Sequence, residues 1–274
     1  MQPTQPQKLT PIRKEYIWGT EDWMLSWFNE GLEDVPLLIK IIQAREALSV
    51  QVHPGNAFAE EKEHKSGKTE MWYVLDCEPG AYLYYGLKHK ISEDEFRKRI
   101  QNQTILEVCR KMPVKKGDVF YIPAGLLHAI GAGITVAEIQ QSSDVTYRVY
   151  DYNRENANHE KRPLHIEKAA LVAGFMPPLA GHRPMGPRIR KNGYSRTLLV
   201  QCPYFVVQLY EISESVAGDT AEGFQSLLIL EGEGVLKTSF GEMSLKAGDS
   251  IYLPKETGSY QIIGTLQLLR STEE

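Results

Sequence analysis

Cysteine is scarce in this chain: three residues among 274 (Cys77, Cys109 and Cys202), far apart and without a CxxC pair. That argues against a disulfide framework or a thiolate zinc site and fits a reducing compartment. No apolar run approaches membrane-spanning length. The opening residues, MQPTQPQKLTPIRK, lack the apolar stretch of a secretory signal. A cytoplasmic location with no membrane partner is therefore expected. Basic runs are absent too, and the formal charge is −4, which sets nucleic-acid binding aside as the main task. An anionic ligand would need a local cationic pocket rather than a general field.

What the sequence does contain is short apolar runs bounded by Gly, Pro and Asp: LLIKII, LSVQVH, EMWYVLD, DVFYIP, ITVAEIQ, SLLILEG and DSIYLP. Their length and their β-branched and aromatic content predict an all-β sandwich or barrel rather than alternating βαβ units. Two helical stretches interrupt them. One is charged, over 56–65. The other spans 92–110, where Ser92 followed by Glu95 makes a capping box. The segment GFMPPLAGHRPMGPRIRKNGYS (174–195) has linker composition. It divides the chain into an N-terminal lobe over 1–173 and a C-terminal lobe over 196–274. A repeat crosses it: GDVFYIPAGLLHAIGAG (117–133) and GDSIYLPKETGSYQIIG (248–264) share Gly-Asp, an aromatic, a Pro and a final Gly at a constant offset. Two tandem jelly-roll lobes are the expected architecture. His128 of the first copy faces Ser259 of the second, and Glu70 faces roughly Gln225. A single site, in the first lobe, follows.

In LSVQVHP, Gln51 and His53 are two residues apart on a strand and project to one face, with Ser49 on the same parity. Polar groups inside a small barrel are costly unless they bind something or one another. Glu70 opens the next strand with Lys68 on its side, and His128 follows a Pro-Ala-Gly corner. Two imidazoles, a carboxylate and an amide oxygen suit a divalent first-row metal. Any of these histidines alone would more often be structural, and His64, His89, His159, His165 and His182 are read that way. Arg148 lies between Tyr147 and Val149 in an apolar strand. Its guanidinium requires an anion, which is either a substrate phosphate or an internal partner such as Asp144 or Asp151. The glycines of GAGI (131–134) lack a surrounding βαβ pattern, so no dinucleotide fingerprint is present.

LSVQVHP, GKTEMWY, IPAGLLHAIGAG and EIQQSSDVTYRVYDYNR, in that order, resemble the successive signature blocks of the type I mannose-6-phosphate isomerases, and the early IWG (17–19) is similar to that family's opening element. The resemblance runs from about Pro11 to the linker. It implies one zinc ion per chain, held by Gln51, His53, Glu70 and His128. It also implies a substrate pocket formed by Ser49, Lys68, Glu138 and Arg148, with the catalytic role falling on Arg148. The implied substrate is a phosphosugar: mannose 6-phosphate and fructose 6-phosphate interconvert through a cis-enediol. Glu138 and Lys68 are both chemically reasonable bases, and Lys68, Arg148 and Arg154 are candidates for the negative charge. The stretch between IWG and PLLIKII is shorter than the family pattern. Two other classes use the same frame: an iron-dependent cupin oxygenase and a non-catalytic sugar-binding cupin.

Overall fold

The structure, a computed structural model, describes residues 4–155, 158–179 and 181–274. Position 180, inside the 174–195 segment, lies outside them. The chain forms two compact units that are not consecutive in sequence. Residues 13–21 and 41–182 make one, and residues 1–12, 22–40 and 183–274 make the other.

The strands along the first two thirds of the chain are β1 (Gln7–Leu9), β2 (Ile12–Tyr16), β3 (Gly19–Leu25), β4 (Leu37–Ala44), β5 (Val50–Val52), β6 (Glu70–Cys77), β7 (Tyr82–Leu87), β8 (Cys109–Pro113), β9 (Val119–Ile122), β10 (His128–Ala129), β11 (Ile134–Gln141) and β12 (Tyr147–Tyr150). Strands β2 to β12 build two sheets, one in the order β12-β5-β10-β7-β8 and the other in the order β2-β3-β4-β11-β6-β9. Trp72, Val74, Leu83, Tyr85, Phe120 and Ile122, drawn from both sheets, form one buried cluster. Each such side chain removed from water contributes about 1.5–3 kcal/mol.

Val50 and Val52, fully buried, face the opposite way from Gln51. They join a second cluster with Phe96, Ile100, Val149, Ala169 and Ala170. The last five come from β12 and from two of three helices: α1 (Asn56–Glu63), α2 (Glu93–Gln101) and α3 (Ile166–Val172). The cap expected at Ser92 is present, its Oγ accepting from the Glu95 N–H at 3.1 Å. The helical stretch expected over 92–110 is shorter. Gln103 turns left-handed at φ 60°, a single 3₁₀ turn follows at Ile105–Glu107, and Cys109 and Arg110 already belong to β8. The third helix, which begins after His165, has no counterpart in the sequence reading.

The other unit holds β13 (Arg188–Lys191), β14 (Tyr194–Cys202), β15 (Phe205–Ile212), β16 (Ser215–Asp219), β17 (Gln225–Thr238), β18 (Gly241–Lys246), β19 (Ser250–Leu253) and β20 (Ser259–Thr272). With β1 they form a nine-stranded antiparallel sheet. Its turn Gly248-Asp249 reproduces Gly117-Asp118. Both glycines sit at φ 89°, where a side chain would be strained. Asp118 accepts from the Lys115 N–H at 3.0 Å, and Asp249 accepts from the Lys246 N–H at 2.9 Å. The sequence repeat is thus a repeat of hydrogen bonds as well as of residues. At the position opposite Leu253, where Glu70 stands opposite Ile122, the second unit has Gln225. Its amide is consumed locally, accepting from the Tyr260 hydroxyl at 2.7 Å and donating to the Asp219 carbonyl at 2.6 Å. Among the described residues, no helix is long and apolar enough to cross a membrane.

Candidate metal centre

Three side chains from separate segments converge in the first unit. Glu70 opens β6, His53 directly follows β5, and His128 opens β10. Their ligand atoms all lie within 4.8 Å of one another, and all three residues are buried. His128 Nε2 is 3.3 Å from Glu70 Oε1, and His53 Nε2 is 3.5 Å from Glu70 Oε2. Each imidazole is oriented by main chain. His53 Nδ1 is 2.8 Å from the Val145 carbonyl, and His128 Nδ1 is 2.8 Å from the Leu126 carbonyl. A carbonyl only accepts, so each Nδ1 carries a proton, which in a neutral ring leaves the Nε2 lone pair turned inward. Burial pushes the His128 imidazole down to about 4, so it is neutral at ordinary pH.

With both rings neutral, as metal ligation requires, two nitrogen lone pairs face carboxylate oxygens at distances where an acceptor repels an acceptor. A cation between them reverses the sign of that interaction. Donors about 2.1 Å from a tetrahedral divalent ion stand roughly 3.4 Å from each other, which matches the two measured separations. The residues fit a metal. The Lys68 ammonium also reaches this carboxylate, 3.1 Å from Glu70 Oε2 and just as buried.

The sheet register aligns Gln51 with these three groups. In β5 it pairs with His128 of β10 on one side and with Arg148 of β12 on the other. Directly opposed residues of antiparallel strands share a face, so Arg148, Gln51 and His128 form a row. Ser49, buried, accepts from Arg148 Nε at 3.3 Å. Arg148 Nη1 donates to the Pro163 carbonyl at 3.1 Å. Neither carboxylate considered as its internal partner is paired with it. Asp144 binds Lys65 at 2.6 Å, while Asp151 binds Arg154 at 2.5 Å and Arg162 at 2.6 Å. Among the described residues, Arg148 has no ion pair. Glu138, on β11 and buried, accepts from Trp72 Nε1 at 2.8 Å. Arg154 stands at the turn after β12, donating to the Ala47 carbonyl at 2.7 Å.

A chain 41% identical over 236 residues is the mannose-6-phosphate isomerase of Streptococcus mutans, the match covering 86% of this chain and 73% of that one. The chain belongs to the mannose-6-phosphate isomerase family. Residues 195–273 match the family model described as mannose-6-phosphate isomerase, cupin domain. The mannose 6-phosphate isomerase of Bacillus subtilis superposes with a TM-score of 0.89 at 31% identity, covering 98% of this chain and 99% of that one. A zinc-bound mannose 6-phosphate isomerase shares the fold, with a TM-score of 0.74 at 13% identity over 98% and 100% of the two chains. The jelly-roll lobes expected from the repeat have the cupin architecture of this family.

Several groups around the site went unread in the sequence. Gln140 pairs in register with Glu70. It is fully buried, and its Oε1 accepts no hydrogen bond among the described residues, although its Nε2 donates to the Gln141 and Ser143 carbonyls. His165, read as structural, accepts from the Arg148 N–H at 3.1 Å through Nδ1 and donates its own N–H to the Arg148 carbonyl at 2.8 Å. The Val145 and Leu126 carbonyls leave no mark in a sequence, because every residue type supplies one. Trp72 does leave a mark, since an indole two residues after Glu70 falls on the same face of the strand.

Proposed function

We propose that this member of the family interconverts mannose 6-phosphate and fructose 6-phosphate at one divalent metal site per chain, with zinc as the ion. Gln51, His53, Glu70 and His128 would hold it, a set of neutral nitrogens and one carboxylate within the zinc repertoire. When bound, the ion supplies a Lewis acid that polarises a sugar carbonyl or hydroxyl oxygen. The remaining work falls to the chain. Glu138 takes the proton from C2 and returns it to C1, because a carboxylate accepts without first losing a proton, while the O2 hydroxyl proton passes to O1 through the enediol. The indole of Trp72 fixes its position. Lys68 and Arg148 present cations to the oxygens that gain charge in the enediol. No electrons leave the substrate, so no redox partner is required.

One observation carries this reading: Arg148, on the same sheet face as His128, has no carboxylate partner among the described residues. An oxygenase has no need of that cation, whereas a phosphosugar does. The two residues are separated by two strand spacings, about 10 Å, the reach of a six-carbon chain with a phosphate at one end. The test is a coupled assay for fructose 6-phosphate formation with and without chelator. Turnover is expected to vanish on chelation and return with zinc. Undiminished turnover in chelated protein, or oxygen uptake with bound iron, would sink the reading.

A further inference from the structure

Just beyond the row of Arg148, Gln51 and His128 lies a group of charges that the isomerase chemistry leaves unexplained. Asp151 is buried at 5% exposure and carries two guanidinium groups. Arg162 grips it with both arms of its fork, Nε at 2.7 Å from Oδ2 and Nη2 at 2.6 Å from Oδ1. Arg154 Nη2 is 2.5 Å from Oδ1. Burial pushes the Asp151 carboxyl up, but the hydrogen bonds from Arg162 and Arg154 outweigh it and hold it below the usual carboxylate range. Arg148 completes the group. Of the charges acting on it, Arg162 weighs most, ahead of Asp151 and Arg154.

Two guanidinium groups thus share one carboxylate, with the unpaired Arg148 guanidinium as a third cation acting on the group, and guanidinium groups do not lose their protons in proteins. Two positive charges are left over, the charge of one phosphate monoester dianion. Donor accounting then shows where that anion fits. Arg154 spends Nε, Nη1 and Nη2 on Asp151 and the Ala47 carbonyl. Arg148 spends Nε and Nη1 on Ser49 and Pro163, and its Nη2 has no acceptor among the described residues. Arg162 spends Nε and Nη2 on Asp151, and its Nη1 has no acceptor among the described residues. The idle donors belong to Arg148 and Arg162.

We infer that Arg162 is a substrate-binding residue, donating with Arg148 to the phosphate of the sugar phosphate, and that Asp151 is the positioning residue holding its fork in place. The inference rests on the isomerase reading for the identity of the substrate, and on these contacts alone for the anion. Arg154 is then a brace rather than a ligand, anchoring Asp151 to the main chain at Ala47.

Isothermal titration calorimetry of the metal-loaded protein with inorganic phosphate tests the seat without reference to turnover. Wild type is expected to bind one phosphate per chain, and Arg162→Ala to bind it at least about tenfold more weakly, the loss of one charged hydrogen bond. Arg162→Lys recovers only part, since an ammonium lacks the fork. Asp151→Asn separates positioning from charge. Removing a negative charge would tighten phosphate if only the field mattered, whereas loss of the clamp weakens it. Where isomerase activity is present, KM for mannose 6-phosphate rises in Arg162→Ala by a factor similar to the loss in phosphate affinity, with kcat nearly unchanged. The inference is overturned by a wild type that binds no phosphate, by a folded Arg162→Ala with unaltered affinity, or by tighter binding in Asp151→Asn. If Arg162→Ala does not fold, the lysine and asparagine variants decide it. Absence of isomerase activity alongside normal phosphate behaviour would count against the isomerase reading alone.

Discussion

The indole nitrogen of Trp72 shows how much of a site hangs on single donors. It points a neutral N–H at the Glu138 carboxylate in a buried setting, where a hydrogen bond to a charged acceptor contributes about 1.5–3 kcal/mol. Trp72→Phe keeps most of the packing and deletes the donor. We expect kcat to fall about tenfold while KM and metal content hold, a split measured by steady-state kinetics and metal analysis. A fall in metal content instead would mean that the indole serves the fold. At this scale the sequence was informative for polar side chains on strand parity: Gln51 lies between the buried Val50 and Val52, and Arg148 between the buried Tyr147 and Val149. It was uninformative where the partner is main chain. It also left the partner of Arg148 open between Asp144, Asp151 and a ligand, because pairings across the 151–162 turn depend on a loop closure that no periodicity encodes.

Among the elements, α2 was readable because its N-terminus is written in side chains. Ser92 caps it, and Phe96 and Ile100 bury its inner face. Ser92→Ala is expected to lower stability by about 1 kcal/mol in denaturant titration, with KM unchanged because the helix packs on the outer face of the β5 sheet. A Ser92→Ala variant as stable as wild type would show that solvent replaces the cap. By contrast, α3 has seven residues, no side-chain cap and only small buried residues, Ala169 and Ala170. Nothing in such a segment exceeds the noise of a loop. The Gly-Asp turns lie at the other extreme. There glycine is required by the backbone angle and aspartate by a free N–H, so both copies stand out from the rest of the chain.

For the whole molecule, the separation into two units is only partly a matter of linker composition. Residues 22–40 belong to the same unit as residues 183–274, a long-range association that local composition does not express. The metal acts at this scale as well, because an ion that binds only the folded form adds its binding free energy to stability. At a thousandfold excess over Kd that is about 4 kcal/mol. Calorimetry should show a higher melting temperature for the zinc-loaded protein than for the chelated one, and the difference should disappear in His128→Ala. Equal melting temperatures in wild type would mean that the ligands are set before folding is complete or that no ion binds.

The two imidazoles take their orientation from peptide carbonyls at Val145 and Leu126. No point mutation can delete a carbonyl. The outer support of the metal is therefore shielded from ordinary mutational drift, and neighbouring positions are at liberty to vary in side chain so long as the loops keep their path. Damage to ligand geometry would have to come through insertions, deletions or prolines that reroute the backbone, and a survey of tolerated variation should find those rare around both loops even where amino-acid identity wanders.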